Sequence, residues 1–422
     1  MSSAPPATPP PSQPPEPAGP PKPPKVPRPP GWWRMPALFA LGGALMATVV
    51  CVLAFSGGGG GRTADAGSGK HHRSALPTGV PTAGASSYTG GAVSEDPSDD
   101  PSADPSALPS ADDSAGPGAA GAGGAASCPA ATVTVSSSGE LENALASVTP
   151  GAVIDLADGS YQGQFTGTAV GSAADPVYLC GGPGAVLDGG GTGKGYVLHI
   201  QDSAYWHLVG FTVQNGQKGV VLDHTQHSTV QGLTVRQIGD EAIHLREFSS
   251  DNLVVGNTVE QTGLNRDKFG EGVYLGSAKS NWCSLTACQP DHSDRNTVKG
   301  NTFDRTTAEN VDIKEGTTGG FILDNTFNGD GITTDGGSAW INVKGNGYLI
   351  QGNTGRSSPK DGFQTHEIIK GWGTGNTFKD NTANVEGPGY GFHLTPVLGN
   401  KVTCDNKVQG AGQGLSNVPC TP

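Results

Sequence analysis

Seven short phrases of one design recur in the 422-residue chain: GVVLD (219–223), AIHLR (242–246), GVYLG (272–276), NVDIK (310–314), WINVK (340–344), GFQTH (362–366) and GFHLT (391–395). Apolar residues alternate with variable ones, so the variable pair of each phrase shares one face. Those pairs are Val221 and Asp223, His244 and Arg246, Tyr274 and Gly276, Asp312 and Lys314, Asn342 and Lys344, Gln364 and His366, and His393 and Thr395. Glu241, Glu271, Glu309 and Asp361 stand just ahead of them. A solvated face shows Ser, Thr, Lys and Glu without order, whereas this file is rich in groups that do chemistry. Lys314, Lys344, Arg246, His244, His366 and His393 are candidates for moving protons. Tyr274, Asn342, Gln364 and Trp340 could hold a substrate, the two aromatic residues by stacking on a sugar face, with Trp340 equally able to cover the coil. Glu271, Glu309 and Asp312 could hold a hard cation. In the plainer alternative Lys314 only pairs with Asp312 or Glu309 on the surface.

The elements that position these residues are legible in a second repeat. VVGNTV, VKGNTF, ILDNTF, LIQGNT, FKDNTA and TCDNK share Asn257, Asn301, Asn325, Asn353, Asn381 and Asn406, spaced 44, 24, 28, 28 and 25 apart. Spacings in the twenties, with short β-rich phrases between turns, predict a solenoid of β coils. The asparagines then stack at a coil corner and satisfy backbone groups, a structural role. Val220, Ile243, Val273, Val311, Ile341, Phe363 and Phe392 point inward, and the variable pairs form a continuous outward strip with coils about 4.8 Å apart. Ahead of the repeats, SSSGELENALASV predicts a short amphipathic helix, with Leu141, Ala144, Leu145 and Val148 on one side, covering the open solenoid end.

That helix, the Pro-Gly turn after it, and PGAVIDLADGSYQG with DPVYLCGGPGAVLDG resemble the opening of the pectate-lyase-like right-handed parallel β-helix proteins. The resemblance covers residues 128–422. Within that fold ENVDIK is most similar to the alginate lyase and chondroitinase B type of polysaccharide lyase, where a calcium-binding Glu precedes a Lys base by five residues. It implies that Glu309 binds calcium and that Lys314 is the base; where those enzymes have an Arg acid one coil on, this chain has Lys344. β-Elimination from a uronate requires its carboxylate to be neutralised before the C5 proton can leave. Calcium held by Glu271, Glu309 and Asp312 would supply that, and repulsion from Lys344 and Arg246 would keep Lys314 partly neutral, with Glu309 and Asp312 working against it unless a metal occupies them. Two other readings stay open. A glycoside hydrolase could use Glu271 and Glu309, about 5 Å apart on adjacent coils, and a non-catalytic module could bind glycan along the strip.

Composition fits this organisation. Gly 67 and Pro 33 exclude one compact helix-rich globule. Residues 1–35 predict a proline-rich disordered tail, 36–55 a single transmembrane helix, 56–127 a disordered Gly/Ser/Pro/Asp linker, and 128–422 the parallel β-helix. Lys22, Lys25, Arg28 and Arg34 ahead of the apolar run favour a cytoplasmic N-terminus and an extracellular solenoid; cleavage and secretion is the alternative. Residues 128–422 carry 18 Lys and Arg against 29 Asp and Glu, a net charge of −11, which excludes general attraction to nucleic acid. The expected partner is a polysaccharide and the expected state a monomer. Six cysteines of an exported domain predict disulfides, and nearest-neighbour pairing gives Cys128–Cys180, Cys283–Cys288 and Cys404–Cys420 among 15 possibilities.

Overall fold

The computed structural model describes residues 128–395 and 397–422. The expected tail, membrane helix and linker lie outside the described residues, among which no helix is long and apolar enough to cross a membrane. The described chain winds into an all-β right-handed parallel solenoid of about eleven turns, with one 11-stranded and two 10-stranded sheets.

Alternation sets the register. Val220, Ile243, Val273, Val311, Ile341, Phe363 and Phe392 are consecutive cross-strand partners, and all are fully buried. Their neighbours two residues on, from Leu222 to Leu394, line the same core. The predicted asparagine file holds one corner: Asn325 accepts from the backbone N–H and side chain of Asn301, at 2.9 and 3.0 Å, and donates to Val298 O and Asn353 Oδ1. A second file, unnoticed in the sequence, runs through Asn252 and Asn296 and resumes at Asn376 and Asn400.

The helix Ser138–Ser147 starts where Ser137 accepts from the Glu140 N–H, while Glu140 Oε2 accepts from Ser136 N. Leu141 and Leu145 are buried, and the helix lies against the first strands. The three disulfides form as nearest neighbours: Cys128–Cys180, Cys283–Cys288 and Cys404–Cys420.

Trp340 requires a correction. Strand alternation would turn it outward, but the chain has not yet entered the strand Ile341–Val343 at this point. The indole instead swings into the core, where Gly355 and Gly362 leave the room; a Cβ at either would approach the ring to 2.4 and 2.7 Å. Its Nε1 donates to the carbonyls of Arg356 and Ser357, and Phe363 meets it edge-on at 5.6 Å. No sugar can stack on it.

Candidate functional site

The outward strip is not a free surface. Insertions beside the strands wall it in, so its residues form the floor of a groove. On one side Asp291 ties the 277–293 segment to the floor, accepting from the backbone N–H groups of Glu247 and Phe248 and from Ser277 Oγ. On the other side the segment before Trp340 closes over the carboxylates: a Cβ at Gly337 would come within 3.0 Å of the Glu309 carboxyl carbon.

At the centre Asp312, 1% exposed, lies between two ammonium groups. Lys314 Nζ is 2.7 Å from one oxygen and Lys344 Nζ 2.5 Å from the other. Burial opposes both kinds of charge, but the pairing prevails: the lysines hold the Asp312 carboxyl below its usual range, and Asp312 holds the Lys314 ammonium well above its own. The opposing pull of Asp312, expected beside that repulsion, thus outweighs Lys344 and Arg246 and holds Lys314 as the ammonium. Arg246 is sequestered; it makes bidentate bonds to Asp223 at 2.7 and 2.9 Å and donates to Tyr196.

Tyr274 is the cross-strand partner of Asp312 on the adjacent coil. Lys314 Nζ sits 4.8 Å from its ring centroid, and burial pushes its phenol well above the ordinary range. His244 meets the same ring edge-on at 4.4 Å. Gly276 accepts from His244 Nε2 at 2.9 Å through a left-handed backbone (φ 78°), and Lys218 Nζ approaches Nδ1 at 3.2 Å. Both ring nitrogens are thus engaged, and burial, with Lys218 and Arg246 nearby, keeps the imidazole neutral. His244 braces Tyr274. It offers no free nitrogen to a substrate.

Glu271, Glu309 and Asp312 bring one oxygen each within 4.8 Å of one another. Burial, reinforced by neighbouring carboxylates, raises both Glu271 and Glu309, most strongly Glu271. Asn342 donates to Glu309 Oε1 at 3.2 Å, whereas Glu271 Oε2 is buried without a partner among the described residues. Three such oxygens could take a metal, but calcium prefers about six to eight oxygen ligands, and here it would have to displace two ammonium groups from Asp312. As arranged, three oxygens with Asp312 already paired to two lysines are too few for a calcium cage.

Beyond Lys344, Gln364 donates to Asp361 Oδ2 at 2.7 Å, and His366 and His393 stand on the next two coils. Burial and Lys344 lower the His366 imidazole. Lys218, absent from the sequence-based set, occupies the column of Glu241, Glu271 and Glu309 and pairs with Glu241 at 2.8 Å. Its place two residues before Val220 was the available signal.

The solved alginate lyase from Paenibacillus sp. str. FPU-7 superposes with a TM-score of 0.62 at 34% sequence identity, over 68% of this chain and 99% of that one. The chain belongs to the family of that enzyme. This places the family among the pectate-lyase-like right-handed parallel β-helix proteins, as the opening coils imply. Pectate lyase Pel9A shares 16% identity over 66% of this chain and 75% of its own, with a TM-score of 0.47. A mannuronic-acid-specific family 6 lyase from human gut microbiota shares 14% over 66% and 82%, with a TM-score of 0.38. Neither carries weight for the family's site. No protein-family model matches the chain, and no curated protein sequence does.

Proposed function

We propose that this protein is a polysaccharide lyase that cleaves a uronate-containing polymer, alginate in the first instance, by β-elimination. The observation that carries the reading is the buried contact of Lys314 with Tyr274 at the centre of the groove floor; kinship with a solved alginate lyase supports it. The carboxylate of the bound uronate is met by Lys344, the ammonium on the coil next to Lys314. Lys314, after losing a proton, takes the one on C5. The C5 electron pair forms the C4–C5 double bond, the C4–O bond breaks, and Tyr274 donates its phenolic proton to the departing oxygen. Proton return from Lys314 to Tyr274 resets the pair.

A retaining hydrolase needs its two carboxyl groups driven apart, one ionised and one neutral. Burial raises Glu271 most strongly and Glu309 less, so this pair remains the hydrolytic alternative, and the product assay below separates it from elimination. Calcium at Glu271, Glu309 and Asp312 is the second reading, favoured by the mutual approach of their oxygens; it would neutralise the uronate in place of Lys344. We further propose that residues 36–55 hold the domain at the outer cell surface, which protease shaving of intact cells tests: recovery of the whole domain in the medium would contradict anchoring. Screening uronate, neutral and amino-sugar polymers for an unsaturated product tests the enzymatic reading. It fails if only saturated ends appear.

A further inference from the structure

The two halves of the groove floor differ in how their charges are spent. On the N-terminal side of Lys314 the cations are neutralised inside the protein: Arg246 by Asp223 and Lys218 by Glu241, all with side chains no more than 11% exposed. On the C-terminal side each of two histidines is tethered through one ring nitrogen only. Asp361 fixes the amide of Gln364 by accepting from Nε2 at 2.7 Å, which turns Gln364 Oε1 toward Ser338 Oγ and His366 Nε2, each at 3.1 Å. His366 therefore donates through Nε2, and its Nδ1 has no protein hydrogen bond among the described residues. His393 repeats this arrangement one coil on, with Nδ1 3.2 Å from Asp361 Oδ2 and Nε2 unengaged, its side chain 24% exposed. Beside them Lys360 is half exposed, with its ammonium 3.9 Å from Asp361.

We propose that His366, His393 and Lys360 form a subsite for the uronate rings that follow the cleaved one toward the C-terminal end of the solenoid. The free nitrogens of the two imidazoles accept ring hydroxyls, and Lys360 pairs with a carboxylate. His366 and His393 stand two and three coils from Lys314, about 10 and 15 Å along the axis, beyond reach of the atoms that react at Lys314. Asp361 and Gln364 act as positioning residues, since they fix which nitrogen of each ring faces the groove. The inference rests on the lyase reading for the nature of the polymer.

The test is steady-state kinetics of His366→Ala, His393→Ala and Lys360→Met on alginate oligomers from the trimer to the polymer. Each lost contact is expected to raise KM on long substrates roughly tenfold with kcat changed less than about twofold, and to leave the shortest cleaved oligomer unaffected. Unchanged KM at every length would overturn the subsite while leaving the lyase reading intact. So would an equal loss of kcat on short and long substrates, which would put these residues in the chemistry. If the wild type forms no unsaturated product, the lyase reading fails by itself, and calorimetric titration with a saturated oligouronate then decides the subsite: weaker binding by the variants supports it, and equal or absent binding refutes it.

Discussion

Lys314 Nζ lies 4.8 Å from the Tyr274 ring centroid while pairing at 2.7 Å with Asp312, the residue beside Tyr274 on the next coil. One ammonium group thus touches both a phenol and a carboxylate within the groove floor. Tyr274→Phe keeps the ring, its packing on His244 and its burial, and removes only the hydroxyl. Turnover on alginate is expected to fall by roughly 10²–10⁴ with the thermal midpoint unchanged. Full turnover by the Phe variant would remove Tyr274 from the reaction.

The pH profile follows from the sign of the Lys314 shift. Asp312 raises the amine well above its ordinary value, so the neutral base is a small fraction at neutral pH and grows as pH rises. Between about pH 7 and 9, kcat/KM should climb by up to tenfold per unit. Tyr274, also raised, keeps its proton through that window and imposes no falling limb. A profile that is flat or falls there contradicts Lys314 as base, and Lys314→Ala should abolish the rise together with most turnover.

Removal of divalent cations separates the two ways of neutralising the uronate. With Asp312 committed to Lys314 and Lys344, dialysis against a chelator is expected to leave turnover unchanged, and Glu271→Gln, which keeps the shape of the buried side chain but removes a carboxylate a metal would need, to retain most of it. Loss on chelation with recovery on adding calcium would establish the metal reading instead.

The asparagine file carries stability. Asn325→Ala orphans the buried Asn301 N–H, at about 1–3 kcal/mol, and takes a second donor from the Val298 carbonyl. Urea unfolding should show a lowered midpoint with normal activity in buffer. A midpoint within error of the wild type would mean that water replaces the amide.

How much of this was legible depended on how local each signal is. The register of Val273, Val311 and Ile341 could be read from two-residue alternation, because a slip by one would have turned every apolar side chain into solvent. The burial of the strip could not, since it depends on insertions such as 277–293 folding back over strands distant in sequence. Of the two places open to Trp340, the inner one is taken because the residue stands one position before its strand, in a turn where Gly355 and Gly362 make room inside. The second asparagine file escaped notice because Gly320 and Tyr348 interrupt it, the Tyr348 ring occupying the space a Cβ at Gly320 would need. The clamp of two lysines on Asp312 was half visible: Lys314 is two residues away in one strand, but Lys344 reaches Asp312 only through the stacking of coils.

The measurement that bears most directly on the account is the stoichiometry of cleavage on alginate. Elimination creates one conjugated double bond at the new non-reducing end for each new reducing end, so ultraviolet absorbance and a reducing-sugar assay should rise one for one from the first turnovers. Reducing ends that accumulate without the double bond would contradict β-elimination and return Glu271 and Glu309 to consideration as a hydrolytic pair; no cleavage of any uronate polymer would leave the groove a binding surface.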